Sequence, residues 1–178
     1  MPKIALIIAF RNFCDEEYFI PQDIFLKAGF DIKTISSEKG LAIGGSGGEA
    51  EVDISFEDFN IFEFDAIVFV GGPGAYKYID DQSIWQIIRD TIKQEKILAA
   101  ICIAPVILAR AGVLEGKKAT VWSSVMDKKP IRILEENGAK YQDKAVVQDG
   151  KIITANGPSS AKEFAETIVQ SMLNSITR

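Results

Sequence analysis

The stretch KILAAICIAPVILARAG, residues 96–112, decides how the chain is read. Its first half, through Ile101, is a short, wholly apolar run of the kind that forms a strand buried on both faces. Its second half opens with Pro105, which suits a first helical turn because the missing N–H would have no partner there anyway. Val106, Ile107, Ala109 and Ala111 then carry a helix towards Gly112. A strand thus turns into a helix within a few residues, and Cys102 stands at the turn. Ala100 and Ala104 flank it symmetrically, as glycines flank the serine of a hydrolase nucleophile elbow, where the tight backbone leaves no room for larger side chains. A sulfur at that point faces helix N–H groups and the positive end of the dipole, so its pKa is expected below the free value of roughly 8.5. The plainer alternative is packing, since free cysteine is among the most buried residue types.

Outward from this unit the same pattern recurs. KIALIIA (3–9), FDIKTIS (30–36) and DAIVFVG (65–71) are further short runs bounded by turn signals. Helical patterns lie between them, at about 16–28 before Gly29 and at 83–95, where Ser83 with Gln86 suggests a capping box. Strand alternating with helix predicts an α/β three-layer sandwich around a mainly parallel sheet. Two segments break the alternation. LAIGGSGGEAEVDISF (41–56) is too glycine-rich for a helix and reads as a hairpin excursion or surface loop. Towards the C-terminus, Asp149-Gly150 marks a turn between two short strands, followed by a loop and a last helix from about Ser160, with Ser160 and Glu163 as its capping box. No linker or repeat divides residues 1–178, which read as a single domain.

Composition narrows the function. A 47% hydrophobic, 25% charged chain with net charge −5 is ordinary globular material, and no basic cluster offers a path for nucleic acid. The apolar run IALIIAF (4–10) is too short to span a membrane. Two cysteines in no ligand spacing give neither a disulfide framework nor a metal site, and a reducing cytoplasm is the expected compartment. The chain has no histidine, which excludes Cys-His and Ser-His-Asp schemes and imidazole zinc sites.

Three further features could join Cys102. VFVGGPGAYKY (68–78) puts Gly71 and Gly72 after a predicted strand, so their loop meets the Cys102 turn if the two strands are neighbours. The N–H groups of Gly72 and Ile103 would then form an oxyanion hole, although such a loop is as often a mere turn. It has no phosphate or dinucleotide spacing, and no cofactor is expected. FCDEEYFIP (13–21) follows the first strand, and one of its acids is expected to turn inward, with a raised pKa and a hydrogen bond to sulfur. The others read as solvated charges at a helix start. Cys14, in the same loop, would approach Cys102 as a resolving thiol, or is an unrelated free thiol.

EYFIPQDIFLKAGF, FDAIVFVGGPGA, AICIAPVILARAGVLEGKKAT and ITANGPSSAKEFAETIV, in that order, resemble the ThiJ/PfpI superfamily over almost the whole chain. The resemblance implies a flavodoxin-like fold, a homodimer, Cys102 as the elbow cysteine, Glu17 as the protonated glutamate, and Gly71, Gly72 and Ile103 as the backbone around it. Two departures matter. Protease-like members have histidine directly after the cysteine, where this chain has Ile103. The deglycase branch has one in the strand after the elbow helix, where this chain has Trp122. Losing a general base typically costs about 100- to 10,000-fold, so a peptidase or amidase is disfavoured. The expected function is a stress-response protein acting through the Cys102 thiolate on small reactive carbonyls or modified proteins, glyoxalase- or deglycase-like, with an oxidation sensor or chaperone as the alternative.

Overall fold

The computed structural model describes residues 1–177. Seven strands form the central sheet: β1 (Lys3–Ile7), β2 (Asp31–Ser36), β3 (Ile54–Ser55), β4 (Ala66–Phe69), β5 (Ile97–Ile101), β6 (Val146–Asp149) and β7 (Ile152–Ala155). They lie in the order β6-β7-β5-β4-β1-β2-β3, and every pairing is parallel except β6 with β7. The apolar runs become strands because both faces are covered, which leaves no side for polar residues. β4, β5 and β7 are buried at every position.

The strand period of two sorts these residues between two cores. Ala5, Ile7, Ile67, Leu98 and Ala100 face one layer, with α2 (Gln82–Lys93), α3 (Pro105–Arg110) and α4 (Lys129–Glu136) packed there through Ile84, Ile88, Val106 and Leu134. Ile4, Leu6, Val68, Ala99 and Ile101 face the other, covered by α1 (Asp15–Lys27) and α5 (Ala161–Ile176) through Tyr18, Phe25, Phe164 and Ile168. This is the expected flavodoxin-like sandwich. No helix among the described residues is long and apolar enough to cross a membrane.

The glycine-rich segment is a hairpin, Gly40–Gly44 antiparallel to Glu49–Val52, and Arg11–Phe13 joins its edge in parallel. That small sheet carries Gly45 and Ser46 over the carboxyl end of β1. Two expected capping boxes do not form. α2 is capped by Asp81, whose Oδ1 accepts the N–H groups of Ser83 at 2.9 Å and Ile84 at 3.4 Å, because the cap lies two residues before Ser83. Ser160 does stand at the start of α5, but its hydroxyl goes to Asn156 Oδ1 at 2.6 Å instead of to the helix.

Candidate functional site

In a parallel sheet the strands all deliver their following loops to one end, and ligands collect where the order of connection reverses. Here β1 is flanked by β2 on one side and β4 on the other, and the loops after β1, β4 and β5 converge. They enclose a cavity of about 270 Å³ lined by Cys14, Glu17, Gly72, Cys102, Trp122 and Pro158, among others.

Cys102 follows β5 directly, and its backbone is held on both sides: its N–H donates to Ala155 O at 2.9 Å, and its carbonyl accepts Trp122 N–H at 2.9 Å. Its φ is 65°, a left-handed conformation that costs a non-glycine residue roughly 1–3 kcal/mol and persists where the surroundings impose it. The turn read from the sequence is therefore present, with Pro105 opening α3. Gly71 follows β4, the neighbour of β5, in register Phe69 opposite Ala100. That placement brings the glycine loop to Cys102, as anticipated. A Cβ on Gly71 would stand 2.7 Å from the Cys102 Cβ, 2.7 Å from Glu17 Oε2 and 2.8 Å from Ile101 O. Only glycine fits between cysteine and acid. Gly72 has φ 106°, and a Cβ added there would run into the backbone of Cys14, Asn12 and Phe13.

Of the three acids after β1, Glu17 alone is fully buried. The first turn of α1 points it under the Gly71 peptide, where Oε2 accepts the Gly71 N–H at 2.8 Å. Oε1 has no hydrogen-bond partner of ordinary geometry among the described residues, although the thiols of Cys102 and Cys14 both lie close to the carboxyl. Burial raises the Glu17 pKa to about 7, against the opposing pull of the Cys102 thiol and the Gly71 N–H. The carboxyl is thus divided between its acid and carboxylate forms near neutrality.

The expectation of a depressed Cys102 pKa is corrected. Burial and then the negative charge of Glu17 push the thiol up, and the nearby Ile103 N–H only partly offsets them. α3 is a short six-residue helix, so its dipole is too weak to win against desolvation. Cys14, at the start of α1, is likewise raised, to about 12, by burial and by Glu17, and its thiol donates to Glu16 Oε2 at 3.4 Å.

Trp122 lines the same cavity, with its Cδ1 close to Gly157. Sequence reasoning missed two parts of the site. Asp15, read as a solvated charge, binds the hairpin tip: its carboxylate accepts Ser46 N–H at 2.9 Å and Gly48 N–H at 2.7 Å. Through it Gly45 and Ser46, in the stretch read as a hairpin excursion or surface loop, become a wall of the cavity. The glycine cluster facing an aspartate at a helix start was the available signal. A larger hollow of about 530 Å³ lies at the opposite end of the strands, but no cysteine lines it, and its lysines are engaged: Lys96 Nζ donates to Phe64 O at 2.5 Å and Lys151 Nζ to Glu95 O.

Residues 2–171 match the DJ-1/PfpI family. Protein/nucleic acid deglycase 2 of Escherichia coli is 34% identical over 166 residues, covering 91% of this chain and 92% of the relative. Glutathione-independent glyoxalase DJR-1.2 of Caenorhabditis elegans is 29% identical over 171 residues, covering 96% and 89%. Among solved structures, a ThiJ/PfpI domain protein from Brachyspira murdochii superposes with a TM-score of 0.91 at 34% identity, covering 97% of this chain and 96% of that one.

Proposed function

The chain belongs to the DJ-1/PfpI family, and from that premise we propose that it is a cytoplasmic, homodimeric stress protein that converts small reactive carbonyls through Cys102, with Glu17 as proton carrier. The observation that carries this is the buried Glu17 carboxyl, poised near pH 7 beside the Cys102 turn. General acid–base catalysis is most effective when the group's pKa lies near the working pH, and this chain has no imidazole to serve instead.

The raised thiol pKa fits this scheme, because the sulfur need not be ionised at rest. Glu17 carboxylate takes the thiol proton as the sulfur attacks the aldehyde carbon. The C–S bond forms, the carbonyl electron pair moves to oxygen, and the N–H groups of Gly72 and Ile103 stand ready to stabilise that charge. Neither N–H donates to another backbone group among the described residues. Glu17 returns the proton to the oxygen, giving a hemithioacetal. For a 2-oxoaldehyde, the carboxylate then carries the C1 proton to the C2 oxygen, giving an enediol; it next takes the C1 hydroxyl proton and delivers a proton to the C2 carbon, so that C1 becomes a thioester carbonyl, and water cleaves this thioester to a 2-hydroxy acid, freeing the thiol. The names of the deglycase and glyoxalase relatives support the same chemistry.

Purified protein is expected to consume methylglyoxal, and Cys102→Ala to lose that activity. Equal rates for the two proteins would overturn the reading.

A further inference from the structure

Cys14 has no part in the carbonyl chemistry, yet it lines the same cavity as Cys102. We propose that Cys14 is the resolving thiol of Cys102: once a hydroperoxide has oxidised Cys102, the two close an intramolecular disulfide across the cavity. Four observations carry this. Both thiols are free and partly exposed, on the one opening they share. One residue separates their backbones, because Gly71 O accepts the Cys14 N–H at 3.0 Å while a Cβ added to Gly71 would stand 2.7 Å from the Cys102 Cβ. Glu17 lies close to both thiols. The sequence contains no third cysteine to compete.

The chemistry balances. Glu17 carboxylate takes the Cys102 proton, and the sulfur attacks one oxygen of the hydroperoxide. The S–O bond forms, the O–O bond breaks, and the leaving oxygen takes the proton from Glu17 and departs as alcohol or water. Sulfur has lost two electrons and the hydroperoxide has gained them. Cys14 then gives its proton to Glu17 and attacks Cys102 Sγ. The S–S bond forms, the S–O bond breaks, and hydroxide leaves as water with that proton. The net change is two thiols and one hydroperoxide to one disulfide, one alcohol or water, and one water. The disulfide reversibly removes the nucleophile from carbonyl chemistry and keeps it from irreversible sulfinic acid. This rests on Cys102 being nucleophilic, a premise shared with the carbonyl reading.

The test treats the full chain with hydrogen peroxide in small excess, traps free thiols with iodoacetamide and measures intact mass. The wild type is expected to lose two hydrogens and take up no label, with a peptide joining Cys14 to Cys102, and dithiothreitol is expected to reverse the change. Cys14→Ser, or Cys14→Ala if the serine variant does not fold, is expected to gain oxygens stepwise on Cys102 instead. Wild type that gains two oxygens as fast as the Cys14 variant, or keeps both thiols open to label, overturns the proposal. Protein that consumes methylglyoxal but never forms the bond overturns this proposal alone. Protein that forms the bond but leaves methylglyoxal untouched overturns the carbonyl reading alone.

Discussion

Glu17 accepts the Gly71 N–H at 2.8 Å, and this single bond fixes the carboxyl under the loop that also abuts Cys102. Acid, glycine and thiol are therefore packed together, and each can be probed through the others.

The first prediction concerns pH. Burial raises Glu17 from 4.5 to about 7, so between these values the folded chain binds more protons than the unfolded one. The contribution of this group to stability is full below about pH 4.5 and is lost as pH rises through about 7. Glu17→Gln cannot ionise and escapes the loss, so its thermal midpoint relative to wild type should rise from pH 4 to pH 8. Its methylglyoxal turnover should meanwhile fall by about 100-fold or more. In the wild type, kcat/KM should climb through about pH 7 to a plateau, since the site is inactive when both thiol and carboxyl hold protons. Unfolding curves and pH–rate profiles of the two proteins check this.

Gly71→Ala tests the packing. Its Cβ would meet the Cys102 Cβ, Glu17 Oε2 and Ile101 O at 2.7–2.8 Å, and the last of these is backbone that cannot swing aside. Overpacking of this kind costs about 1–3 kcal/mol. Activity should drop further than stability, because relief of the clash displaces Glu17 from Cys102. Gly150→Ala is the control: that site has φ 61° but nothing within 4 Å of an added Cβ, so it should lose a little stability and no activity. Urea titrations and turnover at one pH separate the two.

The reading of the fold succeeded where burial is two-sided. β4 and β5 are apolar throughout, and β1 is apolar after Lys3, because both faces are covered, and that leaves a continuous signal in the sequence. The meeting of Gly71 and Cys102 was also legible, because parallel strands deliver their loops to the same end. The thiol pKa was not. A helix dipole and a neighbouring acid are visible in sequence, but the depth of burial that outweighs them is a property of the whole packed site. Asp15 failed for a related reason: its partners are the N–H groups of Ser46 and Gly48, and main-chain donors are identical at every non-proline residue.

Asp15→Ala should loosen that wall. Two backbone N–H groups lose a charged acceptor, each bond of this type being worth about 1.5–3 kcal/mol at full burial and less at this half-buried site. The amides of Ser46 and Gly48 should exchange faster with deuterium while those of β4 and β5 keep their protection. KM for methylglyoxal should rise with kcat little changed, because the cavity wall moves and the Glu17–Gly71 bond does not.

Trp122→His tests the missing base. Trp122 hangs from the Cys102 carbonyl through its own N–H at 2.9 Å, and its side chain lines the cavity, so an imidazole there starts beside the sulfur. A protonated imidazole next to a thiol stabilises the thiolate, opposing the burial and Glu17 charge that now raise the Cys102 pKa. The variant should therefore react with iodoacetamide about 100-fold faster at neutral pH, the lower end of what general-base assistance supplies. The rate should also acquire a new inflection near the ordinary histidine pKa of about 6.5. Trp122→Phe, which opens the wall without adding a base, should show neither change. If both variants sped up equally, the gain would come from access to the sulfur, and the raised pKa would not be what holds the resting thiol in check.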